Sequence, residues 1–402
     1  MPKQPKAKPP RFTFVQTGDW HIGRGRTTWG EAISMHRGAF VIGECYRVAR
    51  EHKAQALLVC GDVCDTKYVT NAERELLIDT LVRGTSGPEG IETYVSVGNH
   101  DMTTATTSNL DFLAVLAATG EIPRLHVGFA HQSAIWNTAA PGLAILGAPP
   151  AVSEHQGALE AVVDALDTSM DYVVMGHGTI GGCVRNDMGW KPPSEQDAKR
   201  LSLLHVASNA PHVRWWAYGD IHKRQELPTL PEGSYGWYAG SPIQMDFGET
   251  PDRGVLVVSL DQREDRWQYR GRKYVRLDTP ESGIEPLVRV LAPEDLDDLP
   301  EHALIQLGPD LMLPTERYNQ VISKYRVVDD RSTPVAAREA LSIADVEQGV
   351  QLQAFDPLMA DLHVVEEQVL REFKYPDDAA LQEAKKIVGL ARERYRARTY
   401  LS

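Results

Sequence analysis

The chain has 402 residues, and its 42% hydrophobic and 24% charged residues exclude wholesale disorder and indicate a soluble globular protein. The formal net charge of −13 disfavours nonspecific adhesion to nucleic acid, which normally uses a broad basic surface. No stretch approaches the roughly 18 uninterrupted apolar residues of a membrane span, and no apolar signal segment opens the chain, so a cytoplasmic location is expected.

The chain begins with a polar tail, a strand and a helix. Lysine and proline dominate residues 1–10, which predicts a flexible tail because proline resists both helix and sheet. An apolar run over residues 12–17 predicts a strand that ends just before Asp19. Apolar residues then recur at three- and four-residue intervals over residues 35–49, which predicts an amphipathic helix.

Four further apolar runs end in the same way as the first strand. They cover residues 56–60, 91–97, 171–175 and 215–218, and each is followed by glycine and a residue with a side-chain oxygen or an imidazole. The five residues delivered in this way are Asp19, Asp62, Asn99, His177 and Asp220. One such glycine pair is an ordinary turn. Because α/β sheets place their sites at the carboxyl ends of strands, five of them predict one shared site.

The character of the sequence changes after about residue 270. Apolar runs over residues 287–291 and 304–307 predict strands, and a helix over residues 318–325 leads to a strand near residues 326–328. This pattern predicts a small α+β module over residues 271–333. Residues 334–402 are predicted to be a linker and helices, with an apolar stripe from Ala380 to Tyr395 beside many basic residues.

The donors at these strand ends suit a pair of divalent metal ions. Phosphodiester hydrolysis needs a nucleophile at neutral pH and positive charge around phosphorus, which two metals about 3.5 to 4 Å apart provide. Such a site needs a bridging carboxylate with imidazole and carbonyl ligands on either side. Asp62 suits the bridge, with Asp19 and His21 on one side and Asn99 and His177 on the other.

The motifs resemble a known family when they are taken in order. They are Asp19-Trp20-His21, Gly61-Asp62-Val63-Cys64-Asp65, Gly98-Asn99-His100-Asp101, Gly176-His177 and Gly219-Asp220-Ile221-His222, and they resemble the calcineurin-like metallophosphoesterases. Within that superfamily, residues 19–23, residues 61–66 and Gly240-Ser241-Pro242-Ile243 with Asp246-Phe247 are similar to SbcD-type nucleases. The similarity is good over residues 12–260 and covers the later regions only in general layout.

The resemblance implies an architecture. The fold would be α/β, with two facing sheets flanked by helices in a catalytic domain over residues 11–270. The module over residues 271–333 would cap the DNA groove, and the C-terminal helices would dock on the coiled coil of an SbcC-type ATPase. Packing of those helices on the chain's own catalytic domain is the alternative.

The resemblance also implies roles for single residues. Asp19, His21 and His222 would hold the first metal, Asn99, His177 and Asp220 the second, and Asp62 would bridge them. His100 matches the catalytic position that protonates the leaving oxygen or stabilises the transition state. Family members usually carry histidine where this chain has Asp220. Asp65 and Asp101 either orient ligands or cap turns.

The implied function is a nuclease that works with two metal ions. It would be a DNA exonuclease and endonuclease of end processing, recombination and repair, with Mn²⁺ as the favoured metal and Mg²⁺ as the other candidate. A homodimer is compatible with this function. Two alternatives stay open: a small-molecule or cyclic-nucleotide phosphodiesterase, because the motifs do not contact DNA bases, and a catalytically weak scaffold, because Asp220 departs from the pattern.

Overall fold

Three sheets and seven helices make up the described part of the chain. The computed structural model describes residues 9–184, 201–228, 230–308, 311 and 313–330. The strands are β1 Arg11–Thr17, β2 Ala56–Cys60, β3 Glu92–Ser96, β4 Leu125–Val127, β5 Ala134–Asn137, β6 Leu143–Gly147, β7 Asp171–His177, β8 Val213–Gly219, β9 Gln225–Glu226, β10 Tyr235–Tyr238, β11 Gly254–Arg263, β12 Arg266–Arg276, β13 Leu287–Val290, β14 Leu304–Leu307 and β15 Arg326–Asp330. The helices are α1 Glu31–Glu51, α2 Asn71–Thr85, α3 Asp111–Thr119, α4 Pro150–Ser153, α5 Gln156–Asp164, α6 Leu203–Ser208 and α7 Thr315–Lys324.

Two six-stranded sheets face each other. The first has the order β12-β11-β1-β2-β3-β4 and the second β5-β6-β7-β8-β10-β9. Between them lies an apolar core to which the first sheet contributes Phe14 and Leu58 and the second Ile145 and Trp215, all completely buried. The side chain of Gln16 crosses this core, because its amide donates to the carbonyl of Trp237 at 2.7 Å and accepts from Trp215 Nε1 at 2.8 Å. Both the nitrogen and the oxygen of the buried Gln16 amide therefore have a hydrogen-bond partner.

Helices cover the outer faces of both sheets. Helix α1 buries Ile42, Tyr46 and Ala49, three members of the predicted apolar stripe, in a cluster with β1 to β3. Helix α2 joins that cluster and begins with a capping box, in which Thr70 and Glu73 each bond the other's backbone N–H. Such a cap stabilises a helix by about 1 kcal/mol. Helices α5 and α6 pack in the same way on the second sheet.

A smaller parallel sheet follows the two large ones. Strands β13, β14 and β15 lie side by side, and α7 connects the last two. Strand β12 continues the first sheet as far as Arg276, so that sheet extends past residue 270. The domain boundaries stay predictions, and the stripe over residues 380–395 lies outside the described residues.

The predicted α/β class, two facing sheets flanked by helices, is confirmed. None of the described helices combines the length and the apolar character that crossing a bilayer requires.

Candidate metal centre

The carboxyl ends of five parallel strands meet at one edge of the sandwich. Strands β1, β2 and β3 are parallel neighbours in the first sheet, and β7 and β8 are parallel neighbours in the second. The ring of His177 joins the two sheets there, because its Nδ1–H donates to the carbonyl of Cys60 at 2.8 Å. With Nδ1 held in this way, Nε2 of His177 faces Asn99 and Asp62 and is the nitrogen placed to bind a metal.

The backbone at this edge adopts conformations that most residues avoid. Asp19, His21, Asp62 and Asp220 have φ angles of 52°, 45°, 51° and 98°. Strained residues of this kind persist where the surrounding structure forces them, commonly at functional sites. The glycine at 98 is required by crowding, since a side chain there would collide with Asp62. Glycine before a polar residue is therefore needed because the loops pack closely, in addition to allowing the chain to turn.

One group of donors contains Asp19, His21 and His222. Their ligand atoms lie within 4.8 Å of one another, and the two Nε2 atoms are 3.1 Å apart. Asp19 is buried, and its Oδ2 has no hydrogen-bond partner within the described part of the chain. A buried carboxylate oxygen without a partner is costly, and a cation would offset that cost. The three residues therefore fit a divalent metal.

A second group contains Asp19, Asp62 and His177, again with ligand atoms within 4.8 Å of one another. His177 Nε2 is 3.3 Å from Asp62 Oδ1 and 2.8 Å from Asn99 Oδ1. The other oxygen of Asp62, Oδ2, is 3.7 Å from His21 Nε2. Asp62 thus presents one oxygen to each group, as a bridging carboxylate would.

The electrostatics of the edge favour a positive charge. Burial works to lower the pKa of His177, but Asp62 and Asp19 outweigh burial and raise that pKa well above its usual range. Burial would likewise raise the pKa of Asp62, yet the net effect of His177 and His21 is to lower it. The same negative potential that protonates an imidazole attracts a metal ion, which competes with protons for these ligands.

Two carboxylates support the imidazoles from behind. His222 Nδ1 is 2.6 Å from Glu249 Oε1, and His21 Nδ1 is 3.4 Å from Asp65 Oδ1. Outer carboxylates of this kind fix the orientation of a ligand and increase its basicity. Sequence reasoning missed Glu249, which lies in a loop far along the chain from His222 and carries no motif of its own. Asp65 was predicted to orient a ligand or cap a turn, and its distance favours the first role.

His100 lies beside the donors with an exposed side chain. Its backbone N–H donates to Asp62 Oδ1 at 2.9 Å, and its ring Nδ1–H donates to the carbonyl of Asp65 at 2.6 Å. The ring of His100 meets that of His21 edge to face, with centroids 4.9 Å apart. The Nδ1 contact leaves Nε2 of His100 available to carry a proton.

Asp101 holds two of the ligand loops together. Its buried carboxylate accepts from the backbone N–H groups of Val63, Cys64 and Gly98 at 3.2, 2.9 and 2.9 Å. Burial and the nearby Asp62 raise its pKa to about 7 against the effect of those three donors. Asp101 therefore positions the loop that carries Asp62 relative to the loop that carries Asn99.

Asp220 lies next to these groups but belongs to none of the three clusters of donors found in the described residues, the third of which joins His21, Asp65 and His100. Its Oδ2 accepts from the hydroxyl of Thr179 at 2.5 Å, and its backbone N–H donates to Asp19 Oδ1 at 2.9 Å. Asp220 is still close enough to His177 to raise that residue's pKa. The structure thus brings six predicted ligands into two clusters and places the seventh at their margin; the six are Asp19, His21, Asp62, Asn99, His177 and His222.

Comparison with known proteins identifies the family of the chain. Two similar solved structures are a dimetal phosphatase from Danio rerio, with 12% identity over 66% of this chain and 98% of that one, and the GAP50 anchor of the inner membrane complex of Plasmodium, with 11% identity over 81% and 98%. Their TM-scores are 0.39 and 0.40. No curated protein sequence matches the chain significantly. The profile of the calcineurin-like phosphoesterases matches residues 12–224, more than half of the chain, and the chain therefore belongs to that family of metal-dependent phosphoester hydrolases.

Proposed function

We propose that this chain is a two-metal-dependent DNA nuclease that hydrolyses phosphodiester bonds during DNA end processing, recombination and repair, with Mn²⁺ as its preferred metal. The main support is the position of Asp62, whose two carboxylate oxygens face His177 at 3.3 Å and His21 at 3.7 Å. A carboxylate shared between two imidazole-containing clusters suits a pair of metals on one phosphate.

The residues of the centre would have distinct roles in such a reaction. Asp19, His21 and His222 would hold one metal, and Asp62, Asn99 and His177 the other. Two bound divalent metals supply positive charge to the phosphate and lower the pKa of water. His100 would donate its Nε2 proton to the leaving oxygen when its ring carries protons on both nitrogens, because its Nδ1–H is held by the Asp65 carbonyl.

The attachment of the third sheet supports a polymeric substrate. The segment after β10 bonds to that sheet through Gln244, which accepts from the backbone N–H of Leu287 at 3.1 Å. Arg37 binds the carbonyls of Gln244 and Glu285 at 2.6 Å each. The same segment carries Glu249, which contacts the ligand His222. An additional module beside the metal centre extends the surface that a long substrate would meet.

A nuclease assay on linear duplex and single-stranded DNA with Mn²⁺, run beside bis(p-nitrophenyl) phosphate, tests the proposal. DNA cleavage that the variant Asp62→Asn lacks is the expected result. Hydrolysis of the small diester without DNA cleavage would favour the alternative, a small-molecule phosphodiesterase. Replacing Mn²⁺ by Mg²⁺ or Zn²⁺ in the same assay identifies the preferred metal.

We further propose that the C-terminal residues dock on an SbcC-type ATPase. The support is the apolar stripe over residues 380–395 with its basic flank, because an amphipathic helix readily occupies a groove on a partner. Deleting the chain after Pro376 should weaken capture of the ATPase and leave hydrolysis of the small diester unchanged. Undiminished capture would locate the partner surface elsewhere.

A further inference from the structure

Three side-chain contacts, one between two aromatic rings and two between an arginine and a ring, connect the two large sheets along one edge of the sandwich. Tyr235 packs on Tyr269 with ring centroids 4.2 Å apart. The guanidinium of Arg272 lies 3.7 Å from the ring centroid of Trp237, and that of Arg224 lies 3.4 Å from the ring of Tyr274. We name these six residues the aromatic–basic ladder: Arg224, Tyr235, Trp237, Tyr269, Arg272 and Tyr274.

The ladder runs along β12 toward the metal centre. Strand register places Tyr269 opposite Leu260, which is paired with Phe12 near the start of β1. Tyr274 is opposite Leu256, which is paired with Gln16 near the end of β1, the end that delivers Asp19. At about 3.3 Å per residue, these two tyrosines are roughly 16 Å apart along β12. Arg224 completes the upper end, two residues after the ligand His222.

The surface of the ladder is accessible and locally basic. Tyr235 is 36% exposed, and four basic residues of β12 are exposed: Arg270, Arg272, Lys273 and Arg276. Within the described residues, Arg272 has no carboxylate within 4 Å, whereas Arg276 and Arg270 pair with Asp278 and Asp261. Lys273 projects from the opposite face of β12, the face of Val275, and is not part of the ladder. This surface is positively charged, although the chain as a whole has a net charge of −13. Contacts that only close the edge of the sandwich would not require exposed cations beyond the stacked rings.

We propose that the aromatic–basic ladder is a binding track for single-stranded DNA that leads into the metal centre. This inference rests on the proposed nuclease function and adds the form of the substrate and its path. Bases stack on aromatic faces whatever their sequence, and arginine and lysine neutralise the phosphates between them. Tyr235 would supply a stacking face, and Arg272 the phosphate contact.

Fluorescence anisotropy with the full-length, Mn²⁺-loaded protein tests the track. The probe is a labelled, nuclease-resistant phosphorothioate oligothymidylate, titrated at several salt concentrations. Because each phosphate contact on a single strand contributes about −0.7 to the slope of log K against log salt, the variant R272Q should reduce the slope by about 0.7 in magnitude. Lys273→Gln, on the opposite face of β12, should leave the slope unchanged. Tyr235→Ala should weaken binding by roughly tenfold, the loss expected for one stacked base. Arg272→Lys should retain the slope.

Arg47→Gln is the matched control, since Arg47 is an exposed arginine of α1 that pairs with Glu44 and Glu51. It removes one charge and should leave binding unchanged. Hydrolysis of bis(p-nitrophenyl) phosphate should stay at the wild-type level in every variant, which shows that the centre is intact. Wild-type affinity and slope in R272Q would overturn the track, even if the protein cleaves DNA. Binding that depends on the ladder, without any DNA cleavage, would support the track and contradict the nuclease proposal alone.

Discussion

The two halves of the metal centre use similar ligands but support them differently. In the carboxylate-supported half (Asp19, His21 and His222), Glu249 lies 2.6 Å from His222 and Asp65 lies 3.4 Å from His21. In the carbonyl-supported half (Asp62, Asn99 and His177), the ring of His177 donates to a backbone carbonyl at 2.8 Å. One half therefore has negative charge behind its imidazoles, and the other has a fixed but neutral dipole.

This difference predicts unequal metal affinities. A carboxylate behind an imidazole makes it a more basic ligand than a carbonyl does. Asn99 is also a neutral ligand, so the carbonyl-supported half relies on the shared Asp62 and on the neighbouring Asp19 and Asp220 for negative charge. We expect the carboxylate-supported half to bind its metal more tightly, and the second half to fill at higher metal concentration.

The largest effect is expected for Asp62→Asn, because Asp62 faces both halves. A neutral amide would bridge two cations poorly and leave their repulsion unscreened. Activity should fall by more than the roughly 10- to 100-fold that loss of an outer partner costs, and calorimetric Mn²⁺ titration should show weakened binding in both halves. Asp261→Asn is the control, since Asp261 is equally buried but pairs with Arg11 and Arg270. Two Mn²⁺ sites of wild-type affinity in Asp62→Asn would contradict the bridge.

His100→Ala should separate chemistry from metal binding. Activity should fall by roughly a hundredfold or more, the range for loss of a general acid, while metal content measured on the same sample stays normal in both halves. His131→Ala is the matched control, because His131 is also exposed and its Nδ1 contacts a backbone carbonyl, that of Thr106, at 3.1 Å. A loss of bound metal would make His100 a ligand, and unchanged turnover would remove it from the mechanism.

Glu249→Gln should reduce the difference between the halves. The amide keeps the shape of the side chain but removes the charge behind His222, so metal affinity in the carboxylate-supported half should fall by roughly 10- to 100-fold. Asp65→Asn should have a smaller effect, because Asp65 lies farther from its imidazole. The affinities are measured by Mn²⁺ titration. Equal effects on both halves, or none, would show that Glu249 does not tune this ligand.

The sequence predicted most of this centre because its parts follow simple patterns. Buried parallel strands are short apolar runs, and the ligands come directly after them, so β1, β2, β3, β7 and β8 and the residues that follow were identifiable. Helices α2 to α6 and strands β4 to β6, β9, β10 and β12 were not predicted; most of them are short, and a few residues show too little periodicity to identify an element. Glu249 was missed because its position depends on how the segment after β10 folds back, a tertiary contact without a local pattern.

Asp220 was predicted to be a ligand of the second metal. A substitution there should have the smallest effect of those that compare the two halves. Its Oδ2 accepts from Thr179, so that oxygen is shared between a hydroxyl and any cation. With Asp19, Asp62 and Asp220 all ionised, two divalent metals would retain a formal charge of about +1, compared with about +2 if histidine stood at 220. A carboxylate oxygen also favours Mn²⁺ or Mg²⁺ over Zn²⁺, which binds nitrogen more readily.

Asp220→His should therefore shift the preference of the carbonyl-supported half toward Zn²⁺, by less than about tenfold, with both metals still bound. Thr179→Val is the matched control: it removes the hydroxyl that competes for Oδ2 but keeps the carboxylate, so the metal preference should not change. Competition titrations of Mn²⁺ against Zn²⁺ on both variants measure the shift. Identical affinities and identical rates in the two metals for Asp220→His would mean that Asp220 is not a ligand. The carbonyl-supported half would then draw its negative charge from Asp62 and Asp19 without Asp220, and its metal affinity should lie still further below that of the carboxylate-supported half.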